Sequence, residues 1–383
     1  MLISNKTPIA IVVLFFFSQY FISAYDISTV RRSAIGGPHA ALADDRDALF
    51  TNPAGYLTAE PEITITQLDL LLTGPVFTIA NVFLSNKDSS GGLPDGAVET
   101  LTGLYAGMDL AGPLSFAYVG NGLGVGLFNK SGVTMKTSTD VDAAFEESTI
   151  LVGGYSFNLP IKSDIHRVDA GFNLKGYVSG GVNLSESLVD VVDVISSMSS
   201  NYLSEQPFIF TTGMGSDLGF LYSYKSRLKV GMSVMDLITY ENMKIYSSLD
   251  GFMKNAQTNE LSTNNEFLPQ RINLGVMYRP SFLKNNKYLS DWKLMADYSD
   301  MFDFLLQPKN GVNPILHLGI GSEVTLLDIL SLRLGVYQAL LNAGMGMNLQ
   351  FLRLNLAIYG KELSTEPGVK SVYNLRLGME FSY

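Results

Sequence analysis

The sequence predicts an all-β membrane protein, a transmembrane antiparallel β-barrel of about 14 strands with short helices in its extracellular loops. Three observations predict it. The chain opens with an export signal, apolar and polar side chains then alternate residue by residue in segment after segment, and the connections between those segments alternate between tight and long.

The 383 residues carry 26 Lys and Arg against 36 Asp and Glu, a net charge of -10, which disfavours nucleic acid as a partner because no excess of cations is available to replace counterions. Charged residues make up 16% of the chain, against about 25% in an ordinary soluble domain. The absence of cysteine removes disulfides, thiolate metal sites, cysteine nucleophiles and a lipidated N-terminal cysteine together. At the N-terminus Lys6 precedes the apolar run Pro8 to Ile22, and Ser23-Ala24 offers small residues for cleavage, so residues 1–24 read as a signal peptide with the mature chain starting near Tyr25. The run falls short of the roughly 20 residues that a helix needs to cross a bilayer, and no later run approaches that length. A spanning chain must then satisfy its backbone groups as a sheet closed on itself.

The period of two is clearest at the C-terminus, where Tyr373, Leu375, Leu377, Met379, Phe381 and Tyr383 alternate with Asn374, Arg376, Gly378, Glu380 and Ser382. It recurs at Leu352 to Ile358, Met345 to Leu349, Leu330 to Val336, Ile272 to Tyr278 and Leu228 to Val234. A soluble β-sandwich alternates too, with its apolar face against a second sheet. The export signal, the aromatic terminus and the many Gly and Asn residues on the polar face favour a barrel with a wet lumen.

Counted back from Tyr383, tight turns fall at Gln350-Phe351, Leu327-Asp328, Lys225-Ser226 and Gly120 to Gly122, and Pro160 to Ile165 is short. Between them lie longer connections at Lys361–Lys370, Ser299–Asn313, Tyr240–Pro269, Asn183–Gln206, Thr137–Glu147 and Ser85–Gly112. Gln338–Asn342 is short on either side, and Ser281–Ser290 is intermediate. This parity places both chain ends on the periplasmic side of a bacterial outer membrane. The first strand runs from Glu62 through Leu72, and Gly74-Pro75 opposes its extension to Leu84.

Two of the external loops carry helical spacing, at Val98, Leu101, Leu104, Tyr105 and Met108 and at Leu188, Val191, Val192, Ile195 and Met198. One reading is mutual packing as a lid. The other is a greasy capture site in which Leu101, Leu104, Leu188 and Val192 bind a lipid-like ligand. The polar face of the strands carries Lys229, Arg271, Arg279, Arg333, Arg353 and Arg376 with Glu323 and Glu380. Buried charges pair, so a structural ion network outweighs a carboxylate-binding site.

The remaining motifs point away from chemistry. His39, His166 and His317 are far apart with no metal-ligand spacing, and Gly120 to Gly126 reads as a hairpin turn because a strand follows it. Asp44, Asp45 and Asp47 lack calcium-loop spacing and read as helix capping or solvated surface. No nucleophile constellation is visible, so no enzyme activity, metal or cofactor is expected.

Between the signal and the first strand the chain reads Gly36-Gly37-Pro38-His39-Ala40-Ala41-Leu42-Ala43-Asp44-Asp45, then "DALF" and "NPAGYL". This segment resembles the N-terminal hatch of the FadL-type outer-membrane transporter superfamily, which includes PorV-like and spirochaetal relatives. The "LRLGVY" and "AGMGMNL" strands and the final "NLRLGMEFSY" are similar to the same family, so the resemblance covers about a third of the chain at its two ends. It implies a hatch over 25–61 that plugs a barrel over 62–383. It further implies transport of hydrophobic molecules such as long-chain fatty acids, with movement around Asn52, Pro53, Ala54 and Gly55 opening the lumen. The partners it implies are that ligand, outer-membrane lipids and, through the C-terminal strand, the barrel-assembly machinery. Relatives of the same shape serve secretion systems, so a structural or docking barrel is the alternative, motivated here by the long polar connection Tyr240–Pro269.

Overall fold

The computed structural model describes residues 28–76, 103–138, 140–187, 200–280, 288–306, 308 and 311–383. The export signal, Leu101, Leu188 and Val192 lie outside the described residues.

Fifteen strands form one antiparallel sheet: β1 (Glu62–Thr73), β2 (Tyr105–Gly120), β3 (Leu123–Thr137), β4 (Asp140–Asn158), β5 (His166–Ser187), β6 (Phe208–Tyr224), β7 (Leu228–Tyr246), β8 (Glu260–Phe267), β9 (Arg271–Tyr278), β10 (Leu289–Tyr298), β11 (Leu318–Leu326), β12 (Leu330–Tyr337), β13 (Leu340–Asn348), β14 (Leu352–Glu362) and β15 (Ser371–Ser382). Each strand pairs with the next around a ring that shuts where β1 meets β15, Leu70 lying opposite Leu377. Strand β8 stands outside that ring. The lower half of β7, Leu228 to Met235, pairs with β9, and its upper half, Tyr240 to Tyr246, pairs with β8. The ring therefore counts 14 strands, the even number that leaves both chain ends on one side.

Burial runs opposite to that of a soluble sheet. On β15 the apolar Tyr373, Leu377 and Phe381 are exposed, while Asn374, Arg376, Glu380 and Ser382 are buried. The same inversion holds on β5, where Leu174 is 63% exposed and Asn173 is 0%. An outer belt of exposed apolar side chains around a polar interior is stable only where the outside solvent is hydrocarbon. Tight turns at the periplasmic end use positive φ at Asn121, Lys225-Ser226, Leu327-Asp328 and Gln350, matching the right-handed twist of hairpin strands.

The strands are unequal. β2 to β7 run 15–22 residues, β9 to β15 only 8–12, and a bilayer needs about 9–11. One side of the barrel therefore rises above the membrane as a tall wall. This corrects several expected loops. Thr137–Glu147 shrinks to a turn around Ser138, because β4 begins at Asp140, and Asn183–Gln206 loses its start to β5. Tyr240–Pro269 is the end of β7, a helix (Leu249–Asn259) and β8. Above the bilayer both faces of a strand are wet, so the period of two disappears while the backbone ladder continues. Tyr105 and Met108, expected in a helix, lie in β2.

The N-terminal segment occupies the lumen. Its first helix, α1 (Val30–Ile35), is capped by Thr29, whose side chain accepts from the Arg32 N–H, and ends at Gly36 in the left-handed region. A short helix, α2 (Ala48–Thr51), and a 3-10 turn (Pro53–Leu57) follow. Val30, Ala34, Ile35, Leu49, Asn52 and Tyr56 are all fully or nearly fully buried. Glycines on the inner wall allow this close approach: a side chain at Gly335 would collide with the Ile35 carbonyl, and one at Gly219 with the Asn52 side chain. Because the chain has no native cysteine, a single Ala34→Cys reports on that seat. Maleimide should not reach it in the folded barrel, whereas adding Gly335→Leu should expose it to rapid labelling while the barrel still migrates as a folded species in an unheated gel.

Candidate functional site: the occupied lumen and the cavity above it

Two layers of polar side chains lie on either side of the N-terminal segment. The lower layer binds the segment to the wall. Arg31 pairs with Asp44 at 2.7 Å, with Asp45, and with Glu323 of β11 at 2.7 Å. Lys293 of β10 reaches Glu323 at 3.1 Å and Asp44 at 3.0 Å, and Arg333 of β12 reaches Glu323 at 2.8 Å. Burial alone would raise the Asp44 carboxyl, but Arg31 and Lys293 outweigh it and hold that group well below the usual carboxylate range. On the β1–β15 side Arg46 pairs with Glu380 at 2.9 Å and contacts Gln67, and Arg353 bridges Glu62 at 2.6 Å and Glu380 at 3.4 Å. Arg376 joins Asp69 at 3.3 Å and Ser33 Oγ at 3.3 Å, and also donates to the Ser28 carbonyl.

Of the expected lumen charges, Glu323, Glu380, Arg376 and Arg279 reach the segment directly, Arg279 at Asp44 over 3.6 Å, Lys229 reaches Thr58 Oγ1 at 3.3 Å, and Arg333 and Arg353 join through Glu323 and Glu380. Their counterparts Arg31 and Arg46 were missed, since neither a six-residue helix nor a short irregular stretch signals that its arginines face Glu323 and Glu380 at the far end of the sequence. The expected solvated surface at Asp44, Asp45 and Asp47 is corrected. Asp44 and Asp45 are salt-bridged, and Asp47 is buried and accepts from Thr29 Oγ1 at 2.8 Å.

The Asn52 to Gly55 stretch is fixed by its own chemistry. Asn52 is fully buried; its amide donates to the Ala40 carbonyl at 2.7 Å and the Phe220 carbonyl at 3.0 Å, and its side-chain oxygen accepts from the Ala54 N–H at 3.1 Å. Pro53 starts the 3-10 turn, where its missing N–H costs nothing, and Gly55 lies against the Ala43 backbone, where a side chain would collide. Tyr56 donates to Asn173 of β5 at 2.5 Å, and Asn173 donates in turn to the Leu49 carbonyl at 3.0 Å. Opposite, Asp297 of β10 holds His39 Nδ1 and the Ala40 N–H, each at 2.9 Å.

Above the segment, toward the long loops, lies a cavity of about 520 Å³. Leu49, Phe50, Pro38 and Ser33 line its floor, and Ile150, Val152, Tyr177, Met235 and Leu316 add apolar wall. Charged side chains line it too: Lys175 reaches Asp217 and Asp236, both at 2.7 Å, Arg271, another expected lumen charge, reaches Asp236 at 2.8 Å, and Arg32, Asp69, Asp109, Lys130 and Asp300 lie around them. Leu104 is half-buried just before β2 and donates its N–H to Thr137 Oγ1 at 3.0 Å. Higher still, Phe208, Phe210, Tyr246 and Phe252 form an aromatic cluster on the outer face of the tall wall, the face that carries Met214 and Tyr240 below it, with ring centroids 4.8–6.4 Å apart. The Phe208-Ile209-Phe210 run was its only sequence signal.

A closed barrel with an apolar belt, a polar lumen and its own N-terminal segment folded inside defines a class, the outer-membrane β-barrel, located in the bacterial outer membrane. Among solved structures the chain is similar to the toluene transporter TodX of Pseudomonas putida, at 12% identity and a TM-score of 0.45 over 93% of this chain and 97% of that one. It is also similar to the monoaromatic hydrocarbon channel CymD (10% identity, TM-score 0.44, 92% and 98% covered) and to a Pseudomonas aeruginosa FadL homologue (11%, 0.44, 92% and 96%). No protein-family model matches the sequence, and no curated protein is similar to it.

Glu323 is 3% exposed and faces Arg31, Lys293 and Arg333 at once. Glu323→Gln should therefore destabilise the protein by about 3–5 kcal/mol, the cost of leaving buried cations uncompensated. Arg353→Gln, at a 30% exposed side chain, should cost less. Trp292, the single tryptophan, lies beside Lys293 and reports both through denaturant titration in detergent.

Proposed function

We propose that this barrel is a passive outer-membrane channel for hydrophobic and amphipathic molecules, with long-chain fatty acids as the preferred class, and that the N-terminal segment is its hatch. The observation that carries this reading is the cavity above the segment. Its volume of about 520 Å³ falls within the roughly 300–1,000 Å³ of small-molecule sites, and it combines apolar side chains such as Leu49, Phe50, Ile150 and Leu316 with charged ones, among them Lys175 and Arg271. An acyl chain would lie over Leu49, Phe50 and Leu316 while its head group met Lys175 and Arg271. Burial at about 25 cal/mol per Å² is enough to hold a chain of about a dozen carbons with micromolar strength after the costs of association. Leu104, half-buried at the rim beside Thr137, offers a first apolar surface to a ligand arriving from outside. Leu101, Leu188 and Val192 are proposed to extend that surface.

Passage requires the hatch to give way, because the segment lies across the lumen. Uptake of a labelled fatty acid into liposomes tests the channel: vesicles with the protein should fill faster than vesicles without it, and equal rates would refute transport. A clamp tests the hatch. Ala34 of the segment packs against Ala357 of β14, so the pair Ala34→Cys and Ala357→Cys should join segment to wall when oxidised. Uptake should fall in the oxidised protein and return on reduction, and uptake that ignores the clamp would remove the segment from the gating role.

A further inference from the structure

Every strand of the ring has a partner on both sides, but β8 has one only on the β7 side among the described residues. Seven of its eight residues are exposed. It stands above the membrane, since the apolar belt ends at Tyr240 and Phe267, whose rings meet edge to face at 5.5 Å. An open strand edge is a template for another strand, and most proteins hide such edges.

The hydrogen-bond phase of this edge can be read from the ladder. The Leu268 N–H donates to the Thr239 carbonyl at 2.9 Å, so in the same antiparallel register Glu266, Asn264 and Ser262 face β7. The N–H and C=O groups of Phe267, Asn265 and Thr263 therefore point away from the barrel. The strand is held ready: Tyr240 OH donates to Asn265 Oδ1 at 2.9 Å, and Lys244 pairs with Glu260 at 2.8 Å. Its charge pattern also lacks a counterpart. Glu266 lies directly opposite Glu241, a like-charge cross-strand pair that is unfavourable by itself, and no cation among the described residues bridges either.

From these features we propose that the free edge of β8 is a docking site for an extended polypeptide strand of a partner protein. The partner carries a lysine or arginine at the position facing Glu266 and an apolar or aromatic residue next to it, beside Phe267, which is 71% exposed. A second copy of this chain does not fit. Antiparallel pairing of two β8 edges needs a two-fold axis perpendicular to the wall, hence in the membrane plane, which would turn one barrel upside down. Parallel pairing needs the axis along the strand, and strands in such barrels tilt about 35–45° from the membrane normal.

The edge lies apart from the cavity, so its test is separate from that of transport. The probe is a blocked nine-residue peptide of alternating threonine and valine with one central Phe-Lys step, carrying fluorescein, titrated onto the detergent-solubilised full chain and followed by anisotropy. It should bind, and Thr263→Pro, which removes one outward N–H and is tolerated on an edge, should weaken it about tenfold without changing the migration of the folded barrel. Glu266→Lys should reject the Phe-Lys peptide and accept its Phe-Glu counterpart. No binding, equal binding to Thr263→Pro, or indifference to the charge exchange would each overturn the proposal.

Discussion

In hydrocarbon no water is available to any backbone N–H or C=O, and this constraint dictates the architecture of the chain. It is met by fourteen strands whose ladder returns to its beginning, with β15 laid along β1 so that Leu72 faces Leu375 and Thr73 faces Asn374. Everything else is a consequence. The outward positions become apolar because lipid is their solvent, and the inward positions become polar because they surround a wet space too wide for side chains alone to fill.

That space is filled by the chain's own N-terminus, and the filling explains two features that look unrelated in sequence. Inward glycines are needed where the segment's backbone lies directly on the wall, at Gly335 under Ile35 and at Gly219 under Asn52. Inward charges are needed where its side chains approach, and they come as interlocked groups: Arg31, Asp44, Lys293, Arg333 and Glu323 form a single set in which each member neutralises at least one other. Such a set contributes little net stability beyond what apolar packing would, but it penalises any other placement of the segment, because a lone buried charge is expensive. Apolar side chains add to this hold, with Leu49 and Tyr56 packed among Val119, Phe128, Ile150 and Val152 and Ile35 and Leu42 packed against Met277 and Met295.

The unequal height of the wall links fold to the outside world. From β2 to β7 the strands continue beyond the bilayer and carry the helix over Leu249–Asn259 and the aromatic cluster on their outer face. β8 ends this wall because β9 and β10 stop at bilayer height, so the ladder that the membrane forces to close below has no such pressure to close above it. The edge is thus a product of the same solvent boundary that governs the belt.

The sequence by itself determined the fold class, the near-complete set of strands within the bilayer and their periplasmic turns. Inside hydrocarbon, solvent on one face and lumen on the other impose a period of two that survives in plain view, as from Tyr373 to Tyr383. It also pointed to the inward charges Arg333, Arg353, Arg376, Glu323 and Glu380, because they fall on the polar phase of that period. Only the tertiary structure decided what those charges meet. Arg31 sits in a helix of six residues and Asp44 in irregular chain, both too short for a period to reveal their direction, and their partners on β10 and β11 are brought near by closure of the ring. Only the structure, too, decided where the strands end, since above the membrane both faces are wet and the pattern that marks a strand is erased although its hydrogen bonds continue.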